Sequence, residues 1–159
     1  MEDKKQKNMT CLSNYEIFYV GEKMVEANIN YLAVLAGAVV SMIIGFLWYG
    51  PLFGKTWMNL MGFKKEDIAK TKNMGLRYFV MFVGTLIMNY VLALFVDYSG
   101  ATTILGGALA GFWLWLGFIA TVTLGIVLWE NKSFKLYLLN SGHYLVALVV
   151  MGIIHAVWI

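Results

Sequence analysis

Residues 30–61 read NYLAVLAGAVVSMIIGFLWYGPLFGKTWMNLM. About residues 31–49 are uncharged and apolar over the length that an α-helix needs to cross a hydrocarbon core of ~30 Å. The apolar run ends at Gly50-Pro51, where proline removes a backbone donor, and an aromatic, amphipathic segment follows. The pattern predicts a transmembrane helix that ends at the membrane surface, and then a short helix in the interface plane.

Three further apolar stretches of spanning length follow, at about residues 78–96, 102–129 and 135–157. The chain is 60% hydrophobic and 13% charged, with a mean hydropathy of +0.71, which is not a soluble composition. We therefore expect an all-α fold: a four-span transmembrane helical bundle with a short interfacial helix after the first span. The bilayer is the expected partner, and basic loops beside it explain the net charge of +3 without nucleic acid.

The chain divides into an N-terminal tail, residues 1–29, and a transmembrane domain, residues 30–159. The tail carries both charge signs and has no secretory apolar region. Gly21-Glu22-Lys23 is compatible with a purine-rich ribosome-binding sequence directly before Met24. We hypothesise that native translation begins at Met24; the alternative is a short translated tail outside the bundle.

Basic residues are concentrated on one side of the predicted bundle. Loops 50–77 and 130–135 contain Lys55, Lys64, Lys65, Lys70, Lys72, Arg77, Lys132 and Lys135, whereas residues 97–101 and the C-terminus contain no Lys or Arg. The positive-inside rule places these two loops in the cytoplasm and both termini outside the cell (inner) membrane.

Small residues recur at helical spacing in two spans. Such seams allow close approach of helix backbones, within a protomer or in a homo-oligomer. The seam of the first span consists of Gly37, Ser41 and Gly45, and the third span carries Gly106, Ala110, Gly117 and Gly125 with Gly107 and Gly111 beside them.

Polar residues are rare within the spans. Asn89 lies near the middle of the second span, one turn after Thr85. Lipid offers its amide no hydrogen-bond partner, so the side chain should face protein or water. A hydrogen bond between helices, worth about 0.6 to 2 kcal/mol, is the favoured interpretation, and a substrate contact is the alternative.

The predicted topology brings polar groups together at the cytoplasmic ends of the spans. We expect Glu130 to form a structural ion pair with Lys135, Arg77 or Lys55 that fixes helix ends. The functional alternative is a vestibule that binds a small ion or metabolite, in which His143 titrates near neutral pH. The candidate ligand-binding residues are Tyr49, Lys55, Trp57, Arg77, Glu130, Asn140 and His143.

Geometry argues against a metal site. On one helix His143 and His155 would lie ~18 Å apart and ~120° around the axis, so they cannot share an ion within a protomer. Asp97 is interpreted as a turn residue, and no spacing typical of a catalytic motif is present in a plausible context. We expect no metal and no cofactor, and an intramembrane enzyme is the least favoured class.

Several segments resemble the prokaryotic membrane family known as domain of unknown function 1761. They are residues 30–35 (NYLAVL), 47–58 (LWYGPLFGKTWM), 61–63 (MGF), 128–130 (LWE) and 139–144 (LNSGHY). The resemblance extends from Asn30 to the C-terminus and implies a small four-helix integral membrane protein of a bacterial or archaeal cell membrane, with no activity attached. The family pattern begins just before Asn30, which is in line with a start at Met24.

Two classes of function therefore stand ahead of an enzyme. One is a small transporter, channel or ligand-binding membrane protein, which predicts a cavity containing Asn140, His143 and Glu130. The other is a structural or partner-binding membrane protein, which predicts a dry bundle that oligomerises through a glycine seam.

Overall fold

A computed structural model describes residues 27–63 and 73–158 of the chain. Four helices in this part are long and apolar enough to cross a membrane: Tyr31–Leu52, Met74–Ser99, Ile104–Trp129 and Phe134–Val157. The described residues contain no β-strand. The prediction of an all-α, four-span bundle is confirmed. The hypothesis of a start at Met24 falls on residues outside the described ranges.

Two of the four spans change their helical winding. The first span consists of α1 (Tyr31–Leu47) and a π-helical turn (Trp48–Leu52), and the short helix predicted after it is α2 (Gly54–Met61). The second span is α3 (Met74–Ser99). The third consists of α4 (Ile104–Leu114), a π-helical segment (Trp115–Ala120) and α5 (Thr121–Trp129), and the fourth is α6 (Phe134–Val157).

Short polar side chains begin three of these helices by accepting bonds from free backbone N–H groups. The Asn30 side chain accepts from the amides of Leu32 and Ala33 at 3.0 and 3.1 Å. Thr103 accepts from the amide of Gly106 at 3.1 Å, and Ser133 from the amide of Lys135 at 3.2 Å. These caps fix where α1, α4 and α6 start, and hence the register of each span.

The first span continues past Pro51 before the chain bends. The N–H of Phe53 donates to the carbonyl of Trp48 at 2.9 Å, so the wider π-helical turn carries the proline within it, and the chain bends only at Phe53. A Cβ on Gly54 would lie 2.5 Å from the carbonyl oxygen of Tyr49. Glycine at this position therefore allows α2 to fold back closely against the end of the span.

The core of the bundle is formed by α6 with the spans around it. Buried side chains of the second and fourth spans meet there, with Leu92, Ala147, Met151 and Ala156 each at most 1% exposed. A methyl group on Gly107 or Gly111 would collide with the backbone carbonyl of Gly152 or Leu148. The third and fourth spans are thus in backbone contact.

The two ends of the bundle differ in the segments that form them. The loop end contains residues 48–63 and 129–134, and it is the end predicted to be cytoplasmic. The turn end contains Asn30, the connection from Ser99 to Ile104, and the end of α6 near Trp158.

Candidate functional site

Two tryptophans hold one turn of α6 near the loop end. The indole Nε1 of Trp48 donates to the carbonyl of Leu139 at 3.1 Å, and the Nε1 of Trp115 donates to the carbonyl of Ser141 at 2.8 Å. Each of these tryptophans is the first residue of a π-helical segment. The carbonyls on both sides of Asn140 are therefore held by rings from the first and third spans.

The side chain of Asn140 is held as well. The hydroxyl of Tyr49 donates to its Oδ1 at 3.0 Å, which joins the first and fourth spans. Trp57 of α2 lies against Tyr49, with ring centroids 5.8 Å apart. The short helix after the first span thus supports the residue that orients Asn140.

His143 lies one turn further along α6, among aromatic rings. Its ring centroid is 5.1 Å from that of Tyr49, 5.1 Å from that of Tyr144 and 6.1 Å from that of Trp48. Both ring nitrogens are buried and have no hydrogen-bond partner within the described residues. A neutral imidazole offers one donor and one acceptor, and no described residue pairs with either of them.

Two adjoining cavities flank this group of residues. The first, here called the His143 cavity, has a volume of about 590 Å³ and lies between the first, second and fourth spans, with Ser41, Gly45, Tyr49, Thr85, His143 and Tyr144 among its lining residues. The second, the Asn140 cavity, has a volume of about 460 Å³ and is lined by residues that include Tyr49, Trp57, Thr123, Tyr137, Asn140 and Tyr144. Three residues line both cavities and so form the wall between them: Tyr49, Met81 and Tyr144.

The charged residues of the predicted cluster lie elsewhere. Lys55, Arg77 and Glu130 are exposed, and none of them lines either cavity. Within residues 27–63 and 73–158 Glu130 forms no ion pair, so the expected pair with Lys135, Arg77 or Lys55 is not formed. The structure brings together Tyr49, Trp57, Asn140 and His143, the uncharged members of the predicted set.

Asn89 lies deeper in the bundle and is completely buried. Its Nδ2 donates to the carbonyl of Val34 in the first span, and its Oδ1 lies 2.9 Å from Nε2 of His155 in the fourth span. A Cβ on Gly37 would collide with this amide. Asn89 therefore connects three spans.

The small residues differ in what they face. Gly37 faces Asn89, Ser41 is buried and lines the His143 cavity, and a Cβ on Gly45 would lie 3.4 Å from the Nε2 of His143. Gly107 and Gly111 form the seam with α6. Of the other four small residues in the third span, Gly106 faces the turn before α4 and Ala110 packs against the core. A Cβ on Gly117 would meet no described atom within 4 Å, and a Cβ on Gly125 would meet only Trp129 of its own helix.

The π-helical segment explains why the small residues of the third span do not form one continuous face of the helix. It inserts extra backbone between Leu114 and Thr121, and one extra residue rotates the following face by about 100°. Gly106 and Ala110 therefore lie on a different face from Gly117 and Gly125. An unbroken α-helix would place all four on one side.

Several residues of the site are not indicated by the sequence pattern. The candidate set predicted from the sequence does not contain Trp48, Trp115, Tyr137 or Tyr144. The hydroxyl of Tyr137 donates to the carbonyl of Ala120 at the end of the π-helical segment, at 3.0 Å. A tryptophan in a long apolar run carries no local signal of the carbonyl to which it will donate.

This chain is similar in sequence to a known membrane protein. The UPF0591 membrane protein of Schizosaccharomyces pombe is 28% identical over 86 residues, which cover 52% of this chain and 58% of that protein. The likeness thus extends to a eukaryotic membrane protein, although this chain spans little more than half of its length. No solved structure matches. The sequence model of one family matches residues 32–156, so the chain belongs to the family described as Protein of unknown function (DUF1761).

Proposed function

We propose that this protein binds a small, neutral, largely apolar molecule in the His143 and Asn140 cavities. The observation that carries the proposal is His143, whose two ring nitrogens are buried without a partner in the described residues. Leaving a buried polar group unpaired costs about 1–3 kcal/mol. A molecule that pairs with this imidazole recovers that energy, and the cavity beside His143 provides the space for it.

The walls of the cavities favour an uncharged ligand. The His143 cavity is lined largely by apolar and aromatic side chains, Met42, Phe46, Met81 and Met88 among them, and neither cavity has a Lys, Arg, Asp or Glu among its described lining residues. A charged ligand would lose its hydration without gaining a counter-charge. Of the two ligand types expected from the sequence, a metabolite is therefore favoured over an ion.

Exposure of the wall residues supports entry from the bilayer. Phe46, Tyr78 and Met81 line the His143 cavity and are 74%, 58% and 55% exposed, on surfaces that lipid covers in a membrane-spanning bundle. An apolar molecule dissolved in the membrane would reach the cavity between the first and second spans without crossing water.

The buried layer around Asn89 favours a binding protein, or a transporter that changes conformation, over an open channel. Asn89, Leu92 and Met151 are each at most 1% exposed and lie between the His143 cavity and the turn end. By the positive-inside rule, we place the loop end in the cytoplasm and both termini outside the cell (inner) membrane. The ligand would then lie in the cytoplasmic half of the bilayer.

Recovery of small molecules from the purified protein tests the proposal. Full-length protein in mild detergent is extracted with organic solvent and compared by mass spectrometry with His143→Phe, which removes both nitrogens and keeps an aromatic ring. We expect a compound that is retained by the wild type and by Glu130→Gln, and depleted in His143→Phe. The same extract from folded His143→Phe and wild type would overturn the proposal.

The second candidate is a structural membrane protein that associates with copies of itself. One observation favours it: Gly117 is exposed, and no described atom lies within 4 Å of where its Cβ would be. Energy transfer between labelled copies in lipid vesicles tests this candidate. Gly117→Leu should weaken association, and Gly84→Leu, at an equally open position of the second span, serves as the control.

A further inference from the structure

A third cavity, the turn-end pocket, lies at the opposite end of the bundle from the His143 and Asn140 cavities. Its volume is about 270 Å³, and its polar or partly polar lining residues are Asn28, Asn30, Asp97, Thr102, His155 and Trp158. We propose that this pocket binds a primary ammonium group, with Asp97 and His155 as its acceptors. The proposed site shares no lining residue with the other two cavities and does not depend on their function.

The hydrogen bonds around His155 leave its second nitrogen as an acceptor. Because Nδ2 of Asn89 donates to the carbonyl of Val34, its Oδ1 must accept the bond from Nε2 of His155, which therefore carries a hydrogen. In the neutral ring Nδ1 then has a free lone pair. It has no hydrogen bond within the described residues, and His155 lines the pocket although it is only 8% exposed.

Asp97 supplies the negative charge. It lies in the last turn of α3, is exposed and lines the pocket. In residues 27–63 and 73–158 no Lys or Arg forms an ion pair with it, and none lines the pocket. An ionised carboxylate only accepts hydrogen bonds. A cation that brings N–H donors satisfies both Asp97 and the Nδ1 of His155.

The side-chain amide of Asn30, which lines this pocket, already donates within the protein. Asn30 accepts bonds from the first amides of α1, and its Nδ2 donates to the carbonyl of Trp158 at 3.4 Å. Asp97 is the one acidic or basic (Asp, Glu, Lys or Arg) side chain among the described lining residues, and its carboxylate disfavours an anion. The volume equals that of about nine liquid water molecules, which admits a small alkylamine or the ethanolamine end of a lipid but not a bulky cation.

Binding of ethylammonium to the full-length protein in maltoside micelles tests the site, since this detergent carries neither charge nor amine. We expect saturable binding by saturation-transfer NMR, weakened about tenfold or more in Asp97→Asn because a charge-assisted hydrogen bond is lost. Asp97→Glu should restore most of the affinity. Glu130→Gln, which removes an exposed carboxylate at the loop end, should leave it unchanged. Tetramethylammonium, which has no N–H donor, should bind more weakly than ethylammonium.

A second measurement identifies the source of the ammonium group. In nanodiscs containing equal amounts of phosphatidylethanolamine and phosphatidylglycerol, a headgroup ligand would be enriched around the wild type and not around Asp97→Asn. Asp97-dependent binding of the free amine or of the lipid supports the site and tells the two sources apart. Absence of both would overturn it, as would equal effects of Asp97→Asn and Glu130→Gln, or equal binding of tetramethylammonium.

Discussion

The Nε2 atom of His155 lies 2.9 Å from the Oδ1 atom of Asn89, and the same amide donates to the carbonyl of Val34. A single side chain of the second span is thus bonded to the first and fourth spans. Because apolar side chains gain little by leaving lipid for another apolar surface, packing and such polar contacts decide which faces of the spans meet. Asn89 thereby fixes the relative rotation of three helices in the buried layer between the His143 cavity and the turn end.

Replacement of Asn89 by alanine is therefore expected to lower the free energy of unfolding by about 1–3 kcal/mol, because the buried Nε2–H of His155 loses its acceptor. Unfolding in mixed micelles of maltoside and dodecyl sulfate measures the change. Asn59→Ala, on the exposed side of α2, is the control and should change stability by no more than about 0.5 kcal/mol. Equal losses in the two variants would contradict this role of Asn89.

A methyl group on Gly37 is expected to be costly for the same reason. It would lie 3.0 Å from the Cγ of Asn89, and the buried amide has no room to move away. Gly37→Ala should lower stability by about 1–3 kcal/mol, as overpacking does. Gly84→Ala, where the added methyl meets nothing within 4 Å, should leave stability unchanged or raise it by up to about 1 kcal/mol. A stable Gly37→Ala protein in the same micelle assay would show that this helix contact is loose.

Much of the fold could be predicted from the sequence, since length and apolar composition fix the number of spans. The contact at Gly37 and the burial of Asn89 also agree with local rules, because small residues permit close approach and an amide inside a membrane must face protein or water. These rules act within one helix and need no knowledge of its neighbours.

Such local rules do not predict the π-helical winding of the third span, nor which of the polar residues form the site. The run from Ile104 to Trp129 is uncharged and has no polar residue before Thr121, so the sequence does not mark where Trp115 begins a π-helical segment. The polar cluster is predicted because its residues lie, in the sequence, near the ends of the spans at one membrane face. This criterion does not distinguish Glu130, which is exposed at the edge, from His143, which is enclosed by aromatic rings. That distinction depends on how far each residue lies inside its span.

Tyr49→Phe tests the wall between the two cavities. It removes the 3.0 Å hydrogen bond to Asn140 and keeps the ring that packs on His143 and Trp57. We expect a loss of about 0.5–1.5 kcal/mol in unfolding free energy, and reduced recovery of any molecule that His143 retains. Tyr31→Phe is the matched control, since Tyr31 is 72% exposed and its hydroxyl forms no hydrogen bond within the described residues. If both variants match the wild type, the hydroxyl of Tyr49 does not shape the site.

The membrane orientation can be tested with single cysteines, because Cys11 is the only cysteine of the chain. In a Cys11→Ser background, Lys132→Cys places a thiol in the loop between the third and fourth spans, and Thr102→Cys places one in the connection between the second and third. Eight Lys and Arg residues in the two loops of the loop end should retain that end in the cytoplasm. An impermeant maleimide is therefore expected to label Thr102→Cys in intact cells, and Lys132→Cys only after permeabilisation. The reverse pattern would place the His143 cavity in the outer half of the bilayer and the turn-end pocket, with Asp97, in the cytoplasm.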